Sequence, residues 1–196
     1  MRHRLLALTL TTLLAGCGGP QTPPPPAAGT ATAPASDANA AFVALSRQAV
    51  DDWMRLSPVA ATQAGDHRFD AELDDLSVAG RQRRVDTSKA LLAKLDAIDT
   101  GKLSRENQVD AALLRNQLQS DIWSNDVLQD WAWDPQLYGG LAGGAIYGLM
   151  AREFAPLPER IKAATARMEK LPALLAQARA NLDPARVPLI HAQTVA

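Results

Sequence analysis

Cysteine and histidine are scarce in this sequence of 196 residues, which contains one cysteine and three histidines. A single cysteine cannot form an internal disulfide, and no Cys-x-x-Cys pair is present to hold a metal. The histidines, His3, His67 and His191, lie far apart in the sequence, and no His-Glu-x-x-His motif occurs. Since Gly-x-Ser-x-Gly is missing too, the sequence predicts no catalytic residue, metal ligand or cofactor within this chain.

An excess of basic residues is also missing. The chain has 20 Lys and Arg against 21 Asp and Glu, and 18 basic residues would remain if Arg2 and Arg4 were removed with a signal peptide. A slightly acidic chain without basic clusters gives no support for nucleic-acid binding. We therefore expect no nucleic-acid partner.

The first 17 residues have the order of a bacterial lipoprotein signal peptide. Two arginines precede an apolar run over residues 5–15, which is too short to span a bilayer. Leu-Ala-Gly-Cys at residues 14–17 then matches a lipobox, although a general secretory signal with an incidental cysteine is the alternative. The pattern predicts that residues 1–16 are removed by cleavage between Gly16 and Cys17, and that Cys17 is lipidated and anchors the chain to a membrane.

A stretch rich in Pro, Ala and Thr, which includes four consecutive prolines, follows the lipobox. This composition predicts a disordered tether over residues 17–40, with folded structure starting near Asp37 and a helical domain over residues 41–196. Gly18 stands where an aspartate commonly signals retention in the inner membrane. The predicted location is therefore the cell envelope, on the periplasmic face of the outer membrane.

Apolar residues recur at spacings of three and four through most of the remaining chain, whereas strand-like alternation does not persist. The fold class predicted is all-α, a multi-helix bundle. Helices are expected over residues 42–56, 58–64, 78–98, 105–128, 141–152 and 161–182, with another starting at 189. We expect Ser57 and Ser104 to cap helices, and Pro172 to kink the long helix. Its buried face is predicted to contain Ile161, Ala164, Thr165, Met168, Leu171, Leu175, Ala178 and Leu182.

An acidic loop is predicted over residues 65–77, where His67 lies among several aspartates. Such a group could bind a divalent cation or a basic ligand. It lacks the glycine and the ligand spacing of a calcium loop, so a solvated surface loop is the favoured interpretation.

Large aromatic residues and glycines cluster between residues 131 and 148, and the stretch 131–140 is expected to interrupt the helical period. The aromatic side chains could line a ligand groove, although packing in the core or at a domain interface is favoured. The glycines are interpreted as allowing close helix packing, since no Lys-Ser/Thr follows to complete a phosphate loop. The possible ligand or interface residues are His67, Trp131, Trp133, Tyr138 and Tyr147.

Six short motifs in the chain are distinctive. They are Trp-Met-Arg-Leu-Ser-Pro-Val-Ala-Ala-Thr-Gln-Ala-Gly-Asp-His-Arg-Phe-Asp at residues 53–70, Leu-Asp-Asp-Leu-Ser at 73–77, Trp-Asp-Pro-Gln-Leu-Tyr at 133–138, Gly-Leu-Met-Ala-Arg-Glu-Phe-Ala-Pro at 148–156, Leu-Pro-Ala-Leu-Leu at 171–175 and Pro-Ala-Arg-Val-Pro-Leu-Ile-His at 184–191. In these motifs the chain resembles the bacterial domain-of-unknown-function family 885, over nearly everything that follows the tether.

The resemblance implies a largely helical protein, often secreted or lipid-anchored. It also implies similarity to zinc peptidases, because family members carry a His-Glu-x-x-His helix in their carboxy-terminal part. No position here matches that motif. Zinc and a peptide substrate are therefore expected only of a longer protein, in which this chain is the amino-terminal fragment and shapes one wall of a substrate cleft.

A second hypothesis comes from a different class of function. The chain would be a non-enzymatic helical binding or scaffold module of the cell envelope, which binds a peptide or a partner through residues 131–147. This hypothesis requires no residues beyond those of the chain.

Overall fold

The computed structural model describes residues 37–195, and this part of the chain is a bundle of α-helices in which no strand occurs. The predicted all-α multi-helix bundle is confirmed. The helices are α1 Asp37–Leu56, α2 Pro58–Ala64, α3 Val78–Asp96, α4 Arg105–Trp123, α5 Asp130–Trp133, α6 Pro135–Met150, α7 Leu157–Asn181 and α8 Leu189–Val195. The predicted signal peptide, the lipidation site at Cys17 and most of the predicted tether lie outside the described residues.

The first helix begins at Asp37, where the sequence composition changes. Residues 37–40 therefore belong to α1 and not to the tether, to which residues 17–40 were assigned. An aspartate in the first turn is stabilising because its charge complements the positive end of the helix dipole. Phe42, Leu45 and Ala49 form the buried stripe of α1, as their spacing predicts.

Helices α1, α3 and α4 pack around one hydrophobic cluster. The helices α3 and α4 form a hairpin, in which Ser77 caps α3 and Ser104 caps α4 through their side-chain oxygens. Burial of apolar side chains contributes about 25 cal/mol for each Å² removed from water, so this shared cluster is the main source of cohesion among the three helices. Its buried members are Phe42, Leu45, Ala49, Leu91, Leu95, Leu103, Ala111 and Leu118.

A second hydrophobic cluster lies between α6 and α7. Tyr138, Leu174 and Ala178 are its buried members, and Leu73 and Leu76 from the loop after α2 pack against it. These contacts hold the loop against α6 and α7. The helix α8 also packs against α6.

The helix α6 begins earlier than expected. It starts at Pro135, with Asp134 as its side-chain cap, and runs through the glycine pair that was expected to interrupt it. A proline in the first turn and a capping aspartate are strong starting signals, and they outweigh the low helix propensity of glycine. Close packing explains two glycines of the run, since added β-carbons at Gly144 and Gly148 would contact side chains of α2.

The predicted buried face of α7 is wrong in part. The side chains of Ile161, Met168 and Leu175 are about half exposed, at 48%, 48% and 51%, whereas Arg160 and Arg167 are buried. The periodic pattern treats arginine as polar and places it outside. Here Arg160 instead donates to the carbonyls of Ala155 and Met150, which orients α7 with Arg160 and Arg167 toward the interior.

A matched pair of glycine substitutions tests how closely α3 packs against the end of the acidic loop. At Gly80, an added β-carbon would overlap the backbone carbonyl of Asp75, whereas nothing lies within 4 Å of the corresponding position at Gly143. We expect Gly80→Ala to lower the free energy of unfolding by about 1–3 kcal/mol. We expect Gly143→Ala to raise it by about 0.5–1 kcal/mol, because alanine is the better helix former. Urea unfolding followed by circular dichroism measures both, and equal effects would contradict the contact at Gly80.

Candidate functional site

The buried guanidinium of Arg167 connects three segments of the chain. Arg167 has no exposed surface, and it donates hydrogen bonds to four groups at 2.7–3.0 Å. The acceptors are the carbonyls of Pro58 in α2, Glu72 in the acidic loop and Ala145 in α6, and the hydroxyl of Thr62. Burial lowers the pKa of Arg167, and the nearby carboxylates Asp70, Asp74 and Glu72 oppose that shift. A buried charge of this kind is tolerated because its donors have partners.

His67 lies at the end of a hydrogen-bond chain that starts at Arg167. The Thr62 hydroxyl accepts from Arg167 at 2.7 Å and donates to Asp70 Oδ1 at 2.6 Å. The other oxygen of Asp70 is 3.0 Å from His67 Nδ1. The imidazole stacks on Phe154 with the ring centroids 3.6 Å apart. These contacts fix the orientation of the ring and leave it about one third exposed.

The other carboxylates of the acidic loop also have partners within the chain. Asp66 pairs with Arg68, Glu72 with Lys170 and Asp75 with Arg83. Within residues 37–195, no three His, Cys, Asp or Glu side chains lie close enough together to hold a metal ion. The described residues therefore do not fit a zinc ion. The family resemblance implies zinc ligands only in the carboxy-terminal part of a longer protein.

The predicted aromatic residues do not form one surface. Tyr138 is buried, and its hydroxyl donates to the carbonyl of Trp131 at 2.7 Å. Trp133 lies beside His191, with ring centroids 5.7 Å apart. Tyr147 is 74% exposed and stands apart on α6. Of the predicted residues, Trp131 alone lines one of the two cavities described below.

A π-helix, Ser124–Leu128, follows α4 where the sequence predicted that an α-helix would continue. The wider turn frees backbone carbonyls, and two indole groups donate to them: Trp131 to Asn125 at 3.1 Å and Trp133 to Leu128 at 3.0 Å. Gln129 then adopts a left-handed conformation with φ of 53°. This irregular segment places Trp131 at the edge of a cleft.

The cleft contains a cavity of about 240 Å³, which we name the polar cavity because charged side chains of both signs are among its lining residues. Arg81 lies over the ring of Trp131, with its guanidinium carbon 3.8 Å from the ring centroid, and donates to the carbonyl of Leu76 and the side chain of Asn181. Such a cation–π contact contributes about 0.5–2 kcal/mol. The cavity is lined by Asp74, Leu76, Arg81, Arg84, Asp121, Ser124, Asn125, Asp130, Trp131, Leu137 and Leu141.

An apolar cavity of about 310 Å³ lies beside the polar one, and Arg84 and Asp121 line both. It is formed by α1, α3 and α4, with Trp53 and Leu56 on one side and Leu114 on another. Together the two cavities have the size of a small-molecule site. The cleft thus consists of one mainly apolar cavity and one cavity with charged side chains in its lining.

Arg84 and Asp74 fix the wall of the cleft next to α2. Ser57 was expected to cap α2, but it makes no capping hydrogen bond; its hydroxyl accepts from Arg84 at 2.8 Å. Asp74 caps the helix instead, because its carboxylate accepts from Val59 N at 3.0 Å. The distance between Arg84 and Asp74 is 3.9 Å.

Burial raises the pKa of two carboxyl groups in the cleft. For Asp74 the hydrogen bond from Val59 and the charge of Arg84 oppose the shift, and for Asp121 the hydrogen bond from Gln117 does so. Raised pKa values in a cleft are common at functional sites, although structural carboxylates show them too. Sequence reasoning missed Arg81, Arg84 and Asp121, since nothing in the helical spacing of α3 and α4 distinguishes them from surface residues.

Comparison with known proteins identifies the family. Residues 58–196 match the family described as bacterial proteins of unknown function, DUF885. The chain belongs to the DUF885 family. The family resemblance inferred from the sequence motifs is confirmed, and the match covers all but the first helix of the described bundle. No curated protein matches the chain.

A solved structure similar to this DUF885 chain is that of a candidate lipoprotein of unknown function from Shewanella oneidensis. The two share 34% sequence identity with a TM-score of 0.73, over 79% of this chain. This chain spans only 28% of the Shewanella protein. Among the described residues, no helix is both long enough and apolar enough to cross a membrane.

Substituting Arg167 tests its role in holding the acidic loop. Arg167→Met leaves several buried acceptors without their donor, each at a cost of about 1–3 kcal/mol. We expect the free energy of unfolding to fall by about 3 kcal/mol or more, measured by urea denaturation of the full chain. Arg179→Met is the matched control, since Arg179 is exposed on the same helix. A loss no larger than that of the control would show that Arg167 does not organise the loop.

Proposed function

We propose that the chain is the helical amino-terminal part of a membrane-anchored envelope lipoprotein that resembles zinc metallopeptidases. In this proposal Cys17 carries the lipid anchor, and the helical bundle packs against a carboxy-terminal part that holds the zinc ligands. The bundle forms one wall of the cleft that takes a peptide substrate. The observation that carries the proposal is an apolar face on α7 that the described residues leave uncovered.

Four residues form that face of α7. The spacing of seven places Ile161, Met168 and Leu175 on one side of the helix, and Leu157 extends the row at its start. Each side chain is 48–51% exposed. A row of exposed apolar side chains on one helix is typical of a protein interface. We name these four residues the α7 face.

The size of the Shewanella protein supports a specific occupant for the α7 face. The part of that protein that corresponds to this chain is 28% of its length, and the remainder is large enough to cover the face. We propose that a carboxy-terminal remainder of the same kind packs there. No step of a peptidase reaction is assigned to residues 37–195.

The proposed location rests on two supports. Leu-Ala-Gly-Cys at residues 14–17 follows an apolar run in the order of a lipoprotein signal. The similar protein from Shewanella oneidensis is described as a candidate lipoprotein, which suggests association with the envelope. Attachment to the periplasmic face of the outer membrane is the finer form of this proposal.

Replacing the cysteine tests the lipid anchor. We expect the unaltered chain to incorporate labelled palmitate and to sediment with membranes, and Cys17→Ser to incorporate none, because serine provides no thiol for the lipid. Gly19→Ser is the control, since it leaves residues 14–17 intact. Equal labelling of the chain and the Cys17→Ser variant would overturn the anchor.

The pair Ile161→Glu and Leu175→Glu tests the packing of the α7 face. These substitutions are made both in the 196-residue chain and in the whole protein encoded by the gene. We expect a lower thermal midpoint in the whole protein and little change in the 196-residue chain, because charges on the α7 face become buried only when the remainder is present.

Val109→Glu and Leu113→Glu on α4 are the matched control, since these side chains are 44% and 64% exposed. The control pair should leave both proteins nearly unchanged. A stop codon directly after Ala196 would overturn the proposal, as would a whole protein that responds equally to both pairs. A stop codon would favour the binding-module hypothesis.

A further inference from the structure

Two arginines on α3 face the same cavity with part of their donors unused. Arg81 and Arg84 are three residues apart, which places them on one side of the helix, and both line the polar cavity. Among the described residues, no carboxylate lies within ion-pair distance of Arg81, and its hydrogen bonds all come from Nη1. Arg84 donates to Ser57 and to the carbonyl of Leu56 and lies 3.9 Å from Asp74, and no residue among 37–195 accepts from its Nε.

Carboxylates also line the polar cavity. Asp121 accepts one hydrogen bond, from Gln117 at 2.8 Å, which leaves its second oxygen without a donor in the described part of the chain. Asp130 accepts from the backbone nitrogen of Trp131. Because positive and negative side chains line the same small space, a ligand with charges of both signs matches the cavity better than a simple anion or cation.

The apolar cavity shares two lining residues with the polar cavity. Arg84 and Asp121 belong to both cavities, and beyond them the walls are mainly apolar. A side chain placed there would contact Trp53, Leu56 and Leu114. Burial of such a side chain is favourable because it removes apolar surface from water.

We propose that this cleft binds a free α-amino acid with a large apolar side chain. The carboxylate lies between Arg81 and Arg84, the ammonium group contacts Asp121, and the side chain occupies the apolar cavity. The three groups leave one carbon atom in three directions, and Arg84 and Asp121, which line both cavities, place charged and apolar surroundings next to each other. A bidentate or paired arginine contact is a strong way to hold a carboxylate.

The inference goes beyond the proposed function and does not require it. Binding needs neither the lipid anchor, nor zinc, nor a carboxy-terminal part. It can therefore fail while the proposed function holds, and the reverse is also true.

Titration calorimetry of the full chain, purified in detergent, tests the binding with L-phenylalanine and L-leucine as probes. We expect a saturable signal from both. N-acetyl-L-phenylalaninamide keeps the side chain but lacks both charges, and L-alanine keeps the charges but lacks the large side chain. Each should bind at least about 10-fold more weakly than L-phenylalanine, because each loses one class of contact.

A matched pair of variants locates the site. Asp121→Asn retains an acceptor for Gln117 but removes the charge that faces the ammonium group, so we expect about 10-fold to 100-fold weaker binding of L-phenylalanine. Asp110→Asn removes the same charge from an exposed position on the same helix and should leave binding unchanged. Circular dichroism of both variants checks that the helices persist.

Three results would overturn the proposal. One is the absence of a saturable signal from both amino acids. Another is binding of the uncharged derivative as tight as that of L-phenylalanine, which tests the charges even if the Asp121→Asn chain does not fold. The third is an equal response of the Asp121→Asn and Asp110→Asn variants.

Discussion

The guanidinium of Arg167 is the constraint on which the arrangement of the helices depends. It has no exposed surface, and its hydrogen bonds reach α2, the acidic loop and α6 from one position on α7. Because a buried guanidinium is costly unless its donors are satisfied, these segments can vary little in position around it. The orientation of α7 follows, with Arg160 and Arg167 inside and the α7 face outside. The chain from Arg167 through Thr62 and Asp70 to His67 follows as well.

The sequence predicted those parts of the fold that depend on apolar spacing and capping. The helices α1, α3 and α4 are examples, since their shared core consists almost entirely of apolar side chains. Prediction failed where polar groups fill the interior. Arg160 and Arg167 are buried because backbone carbonyls accept from them, and neither hydropathy nor period reveals that an acceptor will be available.

The same distinction applies to the candidate sites. His67 and Trp131 were named because histidine and tryptophan are informative residue types, and the structure finds the first in a hydrogen-bond chain and the second at a cleft. Arg81, Arg84 and Asp121 have no such signal in the sequence. Their significance comes from contacts between segments that lie apart in the sequence, as when Arg84 donates to Ser57 and Asp74 caps α2.

The distance in sequence between Arg167 and its acceptors also has a consequence for the order of folding during synthesis. Its partners in α2 and the acidic loop lie 95 to 109 residues earlier in the chain. The hairpin of α3 and α4 has mainly local contacts, which form quickly, so this part can fold as it leaves the ribosome. The acidic loop emerges before that hairpin but acquires its principal hydrogen-bond donor only after the first 11 of the 25 residues of α7 have been translated.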